Sequence, residues 1–478
     1  MVLAIVLGAL VVILLVSLPY WLPRRVVALR GWIFAKVNGD EGISVPGPRI
    51  GVDEFLRAYA DPAANGRSRG AVLSDLFWYW LAPGPHVHQE HIEAGPRYDE
   101  VARITRRILI KPKTESEELT ARVAARVLGE LDSRRPRLVR LRDAAMPIWA
   151  ELYYELVFDE PCPPLARRLI VDNADDVVTA LKCTGLRHMR RRGKLTEYLH
   201  RRIVAGEVAH ELPASLSTLE QAWYLQGTFF NTAVVQMSEA TAHLLLAIAE
   251  HPDVQRRLVA DPDDTGYLDA VLDEALRTYP LFGIAHRISS ADIELAGTTV
   301  SAGSVLCFSY PDFHHTGFTD PDEFRPDRWA HLAAKDVNFI PFGVTANRPC
   351  PARGLAPVTM RVVTREVLAR FELTSSVPHT RSMPNRAPCL LVPRTSTIGA
   401  ARRRATLLFL RARDRWEDVY RGIAQLGFGS YMVWDARRKH LCRSYFAELD
   451  RTAAAPSSAS TPTSAATGCP VQHGTRTS

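Results

Sequence analysis

A run of 21 residues from Val2 to Leu22 carries no charged side chain, and it restricts how this chain can fold more than any other feature. At about 1.5 Å per residue, a helix of that length crosses the hydrocarbon core of a bilayer. Tyr20 and Trp21 lie at its end and Arg24 follows, the order typical of a membrane interface. We therefore expect a single-pass transmembrane anchor at residues 1–23, with the rest of the protein on the cytoplasmic side.

The flanks of this run argue against a secretory signal peptide. A signal peptide has a basic region before its apolar stretch and a small-residue cleavage site after it, and this run has neither. The alternative to a spanning helix is an uncleaved helix that lies in the membrane interface.

The composition is otherwise that of a globular protein. Hydrophobic residues make up 47% and charged residues 23% of the 478 residues, which excludes wholesale disorder and a protein with many membrane spans. The net charge of +7 comes from scattered basic residues without a zinc-finger, helix-turn-helix or RNA-binding signature, so nucleic acid is not expected as a partner. The seven cysteines form no CxxC pair, which argues against a disulfide framework or a structural zinc site.

The sequence pattern predicts helices first and short strands later. Apolar residues recur at helical spacing through residues 115–275, and the nearly uncharged stretch 219–250 predicts a helix buried in the centre of a large domain. Short, partly alternating runs between turn glycines predict strands at Asp292–Ala296 and Ser304–Phe308, and another near Cys389–Pro393. The expected fold class is mainly α with small antiparallel β-sheets, that is, α+β.

Composition also suggests where segments begin and end. Residues 24–50 read as a linker with a stiff proline hinge at Ser44–Pro48, and residues 51–396 as the main domain. Residues 397–451 form an Arg-rich, partly amphipathic extension that either docks a partner or packs on the core. The Ala, Ser, Thr and Pro residues of 452–478 predict a disordered tail.

Three short motifs carry the chemistry. Glu274 and Arg277 stand three residues apart on a predicted helix, where a carboxylate and a guanidinium pair. In the second motif, Phe324–Trp329, Arg328 can join them in a buried charge cluster. The third motif, Pro341–Ala352, holds a single cysteine between two prolines.

That cysteine, Cys350, precedes a predicted helix and follows Arg348 by two residues. The positive end of a helix and a nearby cation both favour a thiolate. An inert cysteine in a proline-rich turn is the alternative interpretation of this motif when it is taken alone.

Together, and in this order, the motifs resemble those of the cytochrome P-450 family of haem-thiolate proteins. The likeness covers about residues 1–395, since an anchor with a proline hinge is also similar to membrane-bound members. The resemblance implies a cytochrome P-450 fold preceded by one transmembrane helix, with haem b (iron protoporphyrin IX) held in residues 51–396.

The resemblance also implies roles for individual residues. Cys350 would be the axial thiolate on the haem iron, with Phe342 in the same cofactor-binding loop. Arg348 and Arg287 would hold the haem propionates. The residues expected to lock this side of the haem are Glu274, Arg277 and Arg328. A further propionate contact is expected from one of Arg103, Arg106 and Arg107.

Two departures from the family stand out. In the cysteine loop, alanines replace usual glycines, and Asn347 is a candidate for the left-handed position that glycine would take. On the central helix, Val235 and Gln236 occupy the place of the acid–threonine pair that delivers protons in the family. Thr232, one turn earlier, supplies a hydroxyl. Glu239 supplies an acid if the central helix aligns with the family in a different register.

Three functions remain open at this stage. The first is a monooxygenase that oxidises a small apolar molecule with O2 and electrons from a ferredoxin or flavoprotein reductase, with Gln236 and Thr232 as candidate catalytic residues. The second is a related enzyme that does not use O2, such as an isomerase, a dehydratase or a peroxide-dependent enzyme. The third is a non-catalytic helper protein.

Overall fold

In the computed structural model, residues 2–38, 41–83, 92–131, 134–295 and 297–454 are described. They form mainly helices with short strands, as expected. The helices are α1 Val2–Asn38, α2 Phe55–Ala60, α3 Val72–Leu81, α4 Pro96–Leu109, α5 Lys113–Gly129, α6 Leu141–Phe158, α7 Pro164–Leu181, α8 Met189–Val204, α9 Thr218–Leu225, α10 Val234–Glu250, α11 Pro252–Ala260, α12 Thr265–Thr278, α13 Tyr310–His315, α14 Leu355–Arg370, α15 Ala400–Lys439 and α16 Leu441–Ala454. The strands are β1 Ile43–Val45, β2 Arg137–Arg140, β3 Ile284–Ile288, β4 Ile293–Leu295, β5 Thr298–Val300, β6 Val305–Ser309, β7 Phe371–Thr374 and β8 Pro388–Pro393.

Helix α1 is longer than the predicted anchor. It continues through Pro19 and Pro23 and ends at Asn38. The stretch Ile5–Ile33 is long and apolar enough to span a membrane, and none of its most apolar window is buried in the protein. The stretch Thr218–Glu250 also meets the length and hydropathy criteria, but 78% of its window is buried, as in the core helix of a globular domain.

Residues 24–50 differ from the predicted linker. Their first part continues α1, and their last part includes β1, which pairs in parallel with β6. Strand β6 pairs on its other side with β3 in antiparallel fashion, so this sheet is mixed rather than purely antiparallel. The proline hinge is therefore part of the folded domain.

The other strands lie near the predicted positions. Strands β4 and β5 form a hairpin, which places the predicted run Asp292–Ala296 in a strand that ends at Leu295, while Ala296 lies outside the described residues. Strand β8 covers the predicted run Cys389–Pro393 and pairs with both β2 and β7.

The central helix lies in the middle of the largest hydrophobic core. It consists of α9, a π-helical stretch Gln226–Ala233 and α10, which follow one another without interruption. Helix α9 begins with a capping box in which Ser217 and Glu220 satisfy each other's backbone N–H groups. The residues around α10 come from α6, α7, α12, α14 and β7, because an apolar surface on all sides must be covered on all sides.

The C-terminal extension packs on the domain. The Tyr79 hydroxyl in α3 donates to Asp435 in α15 over 2.7 Å, and fully buried Asp75 accepts from the backbone N–H of Cys442 at the start of α16 over 3.0 Å. Elsewhere in the domain, Arg192 is fully buried and pairs with Asp176. Helix α16 reaches Ala454, and the rest of the predicted tail lies outside the described residues.

Candidate active site

Cys350 lies in a tight loop at the wall of a large cavity. Its backbone N–H donates to the carbonyl oxygen of Phe342 over 3.2 Å, and its own carbonyl accepts from Arg353 over 3.3 Å. Turns carry the chain from there to Leu355, where α14 begins. Cys350 thus precedes a helix, as the sequence predicts, and is separated from its first residue by a short turn.

The left-handed position in this loop differs from the expectation. Arg348, with φ of 46°, takes it, and Gly343 takes a second one at 70°, whereas Asn347 does not. The side-chain amide of Asn347 instead lies against the carbonyl oxygens of Tyr59, Asp61 and Ala64 at 2.8–3.2 Å. Asn347 thus connects the cysteine loop to the end of α2 and to the residues that follow it.

The cavity lies between the cysteine loop and the central helix. It has a volume of about 330 Å³, and its walls are mostly apolar. Side chains on the cysteine side include Phe342, Cys350, Ala356, Met360 and Tyr153. Side chains from the central helix include Thr228, Phe229, Thr232, Gln236, Met237 and Ala240. The geometry thus brings Cys350 and both candidate catalytic residues to one cavity.

Guanidinium groups line the rim of this cavity. Arg287, on β3, is 2% exposed, and its Nη2 donates to the Tyr59 hydroxyl over 3.2 Å, while its Nε and Nη1 have no hydrogen-bond partner among the described residues. Arg348 lies over the ring of Tyr98 at 4.1 Å and donates to the carbonyl of Ile92, but its Nε has no partner in the same part of the chain. Arg67 and Arg106 line the cavity as well.

Buried cations dominate the electrostatics of this rim. Burial and the nearby cations Arg67 and Arg287 lower the pKa of Arg348 to about 10, although Tyr98 and Glu93 act in the opposite direction. Burial would raise the pKa of Tyr59, but the adjoining Arg287 lowers it overall. Within the described chain, neither Arg287 nor Arg348 forms an ion pair with a carboxylate. Desolvated cations whose hydrogen bonding is incomplete favour an anionic ligand.

These residues fit a haem. A flat apolar macrocycle with two carboxylates matches a slot with Cys350 on one wall, an apolar helix on the other and guanidinium groups at the rim. Of the basic residues predicted on α4, Arg106 lines the cavity, whereas Arg107 pairs with Glu211.

Glu274, Arg277 and Arg328, which the sequence predicts to form a buried charge cluster, contact one another in the structure. Glu274 is fully buried, and its two oxygens accept from Nε and Nη2 of Arg277 at 2.9 Å each. Arg328 donates to the same carboxylate over 3.2 Å. Trp329 and the backbone N–H of Arg325 complete its coordination at 2.9 and 2.8 Å. Since every partner is hydrogen-bonded, the cluster holds the segment after α13 against α12.

The central helix offers the cavity hydroxyl and amide groups. Thr232 and Gln236 are four residues apart across the end of the π-helical stretch, and both line the cavity. Val235 packs against the main hydrophobic core. Thr228, which the sequence analysis did not select, lies one turn earlier in the cavity wall, and its hydroxyl has no partner among the described residues.

Glu239 is not the acid of this cavity. Its carboxylate accepts from Arg142 over 2.9 Å and from Lys182 over 2.7 Å, and it is not among the residues that line the cavity. Burial would raise the pKa of Glu239, but these two cations lower it overall. The alternative register in which Glu239 delivers protons is therefore wrong.

Some functional candidates escaped the sequence analysis because no motif marks them. These candidates are Tyr59 in α2, Arg67 between α2 and α3, and Tyr98 in the first turn of α4. They reach the rim only through tertiary packing. Arg67 precedes a turn whose backbone N–H groups are held by Glu93, and this carboxylate was equally unmarked.

Comparison with known proteins agrees with this geometry. The cytochrome P-450 family model matches residues 210–398. Cyclooctat-9-en-7-ol 5-monooxygenase of Streptomyces melanosporofaciens is 31% identical over 165 residues, 30% of this chain and 36% of that protein. Cytochrome P-450 3A12 of Canis lupus familiaris is 30% identical over 154 residues, 28% of this chain and 30% of that protein. The chain thus matches about a third of the length of these curated relatives.

Solved structures extend the likeness over most of the chain. A zebra fish cytochrome P-450 solved with abiraterone superposes with a TM-score of 0.60 at 18% identity, covering 72% of this chain and 92% of that one. Ligand-free cytochrome P-450 OleT gives 0.59 at 15% identity, covering 73% and 88%. At such identities the structures show the fold alone. With the family match over the cysteine half added to this fold, the chain is a member of the cytochrome P-450 family.

Proposed function

We propose that this protein is a haem-thiolate monooxygenase that oxidises a small apolar molecule and is anchored to a membrane by α1. The observation that carries the proposal is a single cavity with Cys350 on one wall and Thr232 and Gln236 on the other, whose rim holds Arg287 and Arg348 with guanidinium nitrogens that lack a hydrogen-bond partner among the described residues. The net reaction places one oxygen atom of O2 in the substrate and releases the other as water, and it consumes two protons from solvent and two electrons from a ferredoxin or flavoprotein reductase.

The cofactor we propose is haem b, and when bound it supplies the oxygen and electron chemistry that amino-acid side chains lack. Cys350 supplies the thiolate ligand, while Phe342 borders the cavity beside it. Arg287 and Arg348 hold the two carboxylates, which completes their hydrogen bonding. The Glu274 cluster fixes the segment that lies against α12 and so keeps this side of the site rigid.

The distal residues orient water and substrate. The Thr232 hydroxyl and the Gln236 amide each donate and accept hydrogen bonds, so together they orient a water molecule in the cavity. The proton then passes along that water and the Thr232 hydroxyl. The apolar walls, among them Phe77, Leu81 and Leu276, exclude bulk water and favour an apolar substrate.

The experiment measures how O2 and reductant are used. The haem-loaded full chain is supplied with a surrogate ferredoxin and reductase, and NADPH consumption, O2 consumption and product are followed with a panel of apolar compounds. Thr232→Val and Gln236→Leu are expected to lower product formed per NADPH by about tenfold or more, because proton delivery by a positioned group contributes at least that much. Gln221→Leu, on α9 outside the cavity, is the matched control and keeps the yield.

A second candidate follows from one observation. The residue in the usual acid position is apolar Val235, and Glu239 is held by Arg142 and Lys182, so no acid of the described central helix lines the cavity. A P-450-type enzyme that uses peroxide, or that rearranges its substrate without O2, needs no such acid. Conversion with peroxide or without any oxidant, and none with O2 and NADPH, would replace the first proposal by this one.

A further inference from the structure

The π-helical stretch of the central helix contains a backbone carbonyl that the usual helical hydrogen bond bypasses. In an α-helix the N–H of Val234 donates to the carbonyl oxygen four residues earlier, which is that of Phe230. Here this N–H donates to the carbonyls of Phe229 and Asn231 instead. The carbonyl of Phe230 accepts from the side-chain amide of Asn173, on α7, over 3.4 Å. A side chain from another helix thus takes the place of the α-helical hydrogen bond.

Asn173 also joins two other side-chain amides of the same stretch. Its Nδ2 donates to Oδ1 of Asn231 over 2.5 Å, and its Oδ1 accepts from Nε2 of Gln226 over 2.9 Å. Gln226 and Asn231 are five residues apart, which is the span of one hydrogen-bonded π-helical turn. In an α-helix the same two residues would point about 140° apart. All three amides are 2% exposed or less, and none of them is among the residues that line the cavity.

Helix α8 and the end of α3 extend this cluster of amides. Gln226 accepts from the hydroxyl of Thr196 over 2.5 Å and donates to the carbonyl of Arg192 over 3.0 Å. Asn231 donates to the carbonyl of Leu81, a residue of the cavity wall, over 3.1 Å. Each amide is therefore hydrogen-bonded through both its oxygen and its nitrogen. A change in the winding of the central helix would leave buried polar groups without partners, which costs free energy.

A different face of the stretch lines the cavity. Thr228, Thr232 and Gln236 follow one another at steps of four residues, and all three line it. In an α-helix each such step exceeds a full turn by about 40°, so Thr228 and Gln236 would point about 80° apart. A π-helical turn contains more residues, so the step from Thr228 to Thr232 does not add to this angle. The π-helical winding thus brings three polar side chains to one wall.

We propose that Asn173 is a positioning residue, whose amide holds the central helix in its π-helical winding and so keeps Thr228 and Thr232 on the same wall of the cavity as Gln236. The amide joins groups that lie within its reach only in this winding, which a role in stability alone does not require. The use of Thr232 and Gln236 in catalysis rests on the proposed function, whereas the winding itself does not.

The first test measures the winding. Thr228→Cys and Gln236→Cys, made one at a time in the haem-loaded full chain, place a thiol on the cavity wall within the π-helical stretch and beyond it. The rate of labelling by methyl methanethiosulfonate is followed by peptide mass spectrometry, which separates the new thiol from the native cysteines. Asn173→Ser, whose side chain is too short to join the amides, is expected to slow labelling of the Thr228→Cys thiol by about fivefold. Labelling of the Gln236→Cys thiol is expected to stay the same.

A matched control removes a buried amide elsewhere. Gln255, on α11 and outside the cavity, pairs with the backbone N–H and carbonyl of Leu373 over 2.8 and 2.9 Å. Gln255→Ala is expected to leave the labelling of both thiols unchanged. Asn173→Ala repeats the test with a second variant. Any other pattern in the variants of Asn173 that fold, including unchanged labelling or equal slowing of both thiols, overturns the proposal.

A double-mutant cycle then distinguishes positioning from stability. Thr232→Val and Asn173→Ser are each expected to lower the product formed per NADPH, and the double variant no further than Thr232→Val alone, because Asn173 acts through that hydroxyl. Gln255→Ala keeps the yield. Losses that multiply in the double variant overturn the proposal. A chain without O2-dependent turnover refutes the proposed function instead, and the labelling rates, which do not depend on turnover, then decide whether Asn173 sets the winding.

Discussion

Arg287 carries its positive charge into the domain with two guanidinium nitrogens unpaired among the described residues. A buried cation in this state costs free energy unless a ligand compensates it. Arg192 is a useful contrast, since it is equally buried but contacts Asp176 over 2.7 Å. We therefore assign Arg287 to ligand binding and Arg192 to the stability of the fold.

We expect Arg287→Leu to release haem about tenfold faster or more, as measured by transfer to apomyoglobin, while the apoprotein loses no free energy of unfolding. Arg192→Leu is expected to lower the free energy of unfolding by about 3–5 kcal/mol, because it leaves Asp176 buried without its partner. Haem release from Arg287→Leu at the rate of the unmodified protein would contradict a role in holding the cofactor.

The sequence was informative at this scale where a motif fixes a residue. Cys350, Glu274, Arg277 and Arg328 lie in short local patterns, and the structure brings each of them to the expected neighbourhood. Asn347 was misjudged, since the side-chain contacts that decide its role come from residues far away in the sequence. Glu239 shows the same limit, because nothing in its own helix predicts the cations that hold it.

At the scale of single elements, α12 contains a destabilising charge. Burial raises the pKa of Asp273 to about 6, and the neighbouring Asp269 adds to the shift. Asp269 itself lies 2.7 Å from the guanidinium of Arg361. In the unfolded chain an aspartate titrates near pH 3.9, so between about pH 4 and pH 6 the folded state binds more protons and its stability falls as the pH rises.

We therefore expect Asp273→Asn to raise the free energy of unfolding by about 1–2 kcal/mol at pH 7. This value is smaller than the full pKa shift implies, because Asp273 is partly exposed to solvent. The gain is expected to shrink as the pH falls from 6 to 4 and to vanish below about pH 4. Urea denaturation at these pH values measures it, with Asp269→Asn as a control that brings no gain. A gain that does not change with pH would refute the assignment.

The attachment of α16 gives a second prediction for an element. The carboxylate of Asp75 accepts from the backbone N–H groups of Cys442 and Arg443 at 3.0 and 3.3 Å. Asp75→Ala is expected to lower the free energy of unfolding of α16 by about 1–2 kcal/mol and to speed tryptic cleavage at Arg443. Asp53→Ala, at an exposed carboxylate, is the control. Equal cleavage of both variants would show that Asp75 does not hold α16.

The elements themselves were predicted unevenly. The central helix was predicted because its apolar surface repeats over many turns, whereas its π-helical stretch left no signal, although it shapes the wall that carries Thr232. Residues 24–50 do not form the linker that was predicted from their prolines, because prolines also occur beside strands and within helices. The pairing of β1 with β6 could not be predicted from this segment, since it depends on residues far away in the sequence.

On the scale of the whole molecule, the fold brings a cysteine loop, a central helix and basic residues from distant segments to one cavity. Composition and periodicity gave the mainly helical class, and the motifs gave the family. They did not show that residues 397–451 pack along α1 and α3, because such packing follows from complementary surfaces rather than local pattern.

The central claim is that Cys350 is the thiolate ligand of a bound haem, and the most direct measurement is the absorption spectrum of the reduced protein under carbon monoxide. We predict the band of a thiolate-ligated haem for the unmodified chain and its replacement by the band of an imidazole-ligated haem in Cys350→His. A purified chain that binds haem but lacks the thiolate band, or keeps it in Cys350→His, would contradict the account.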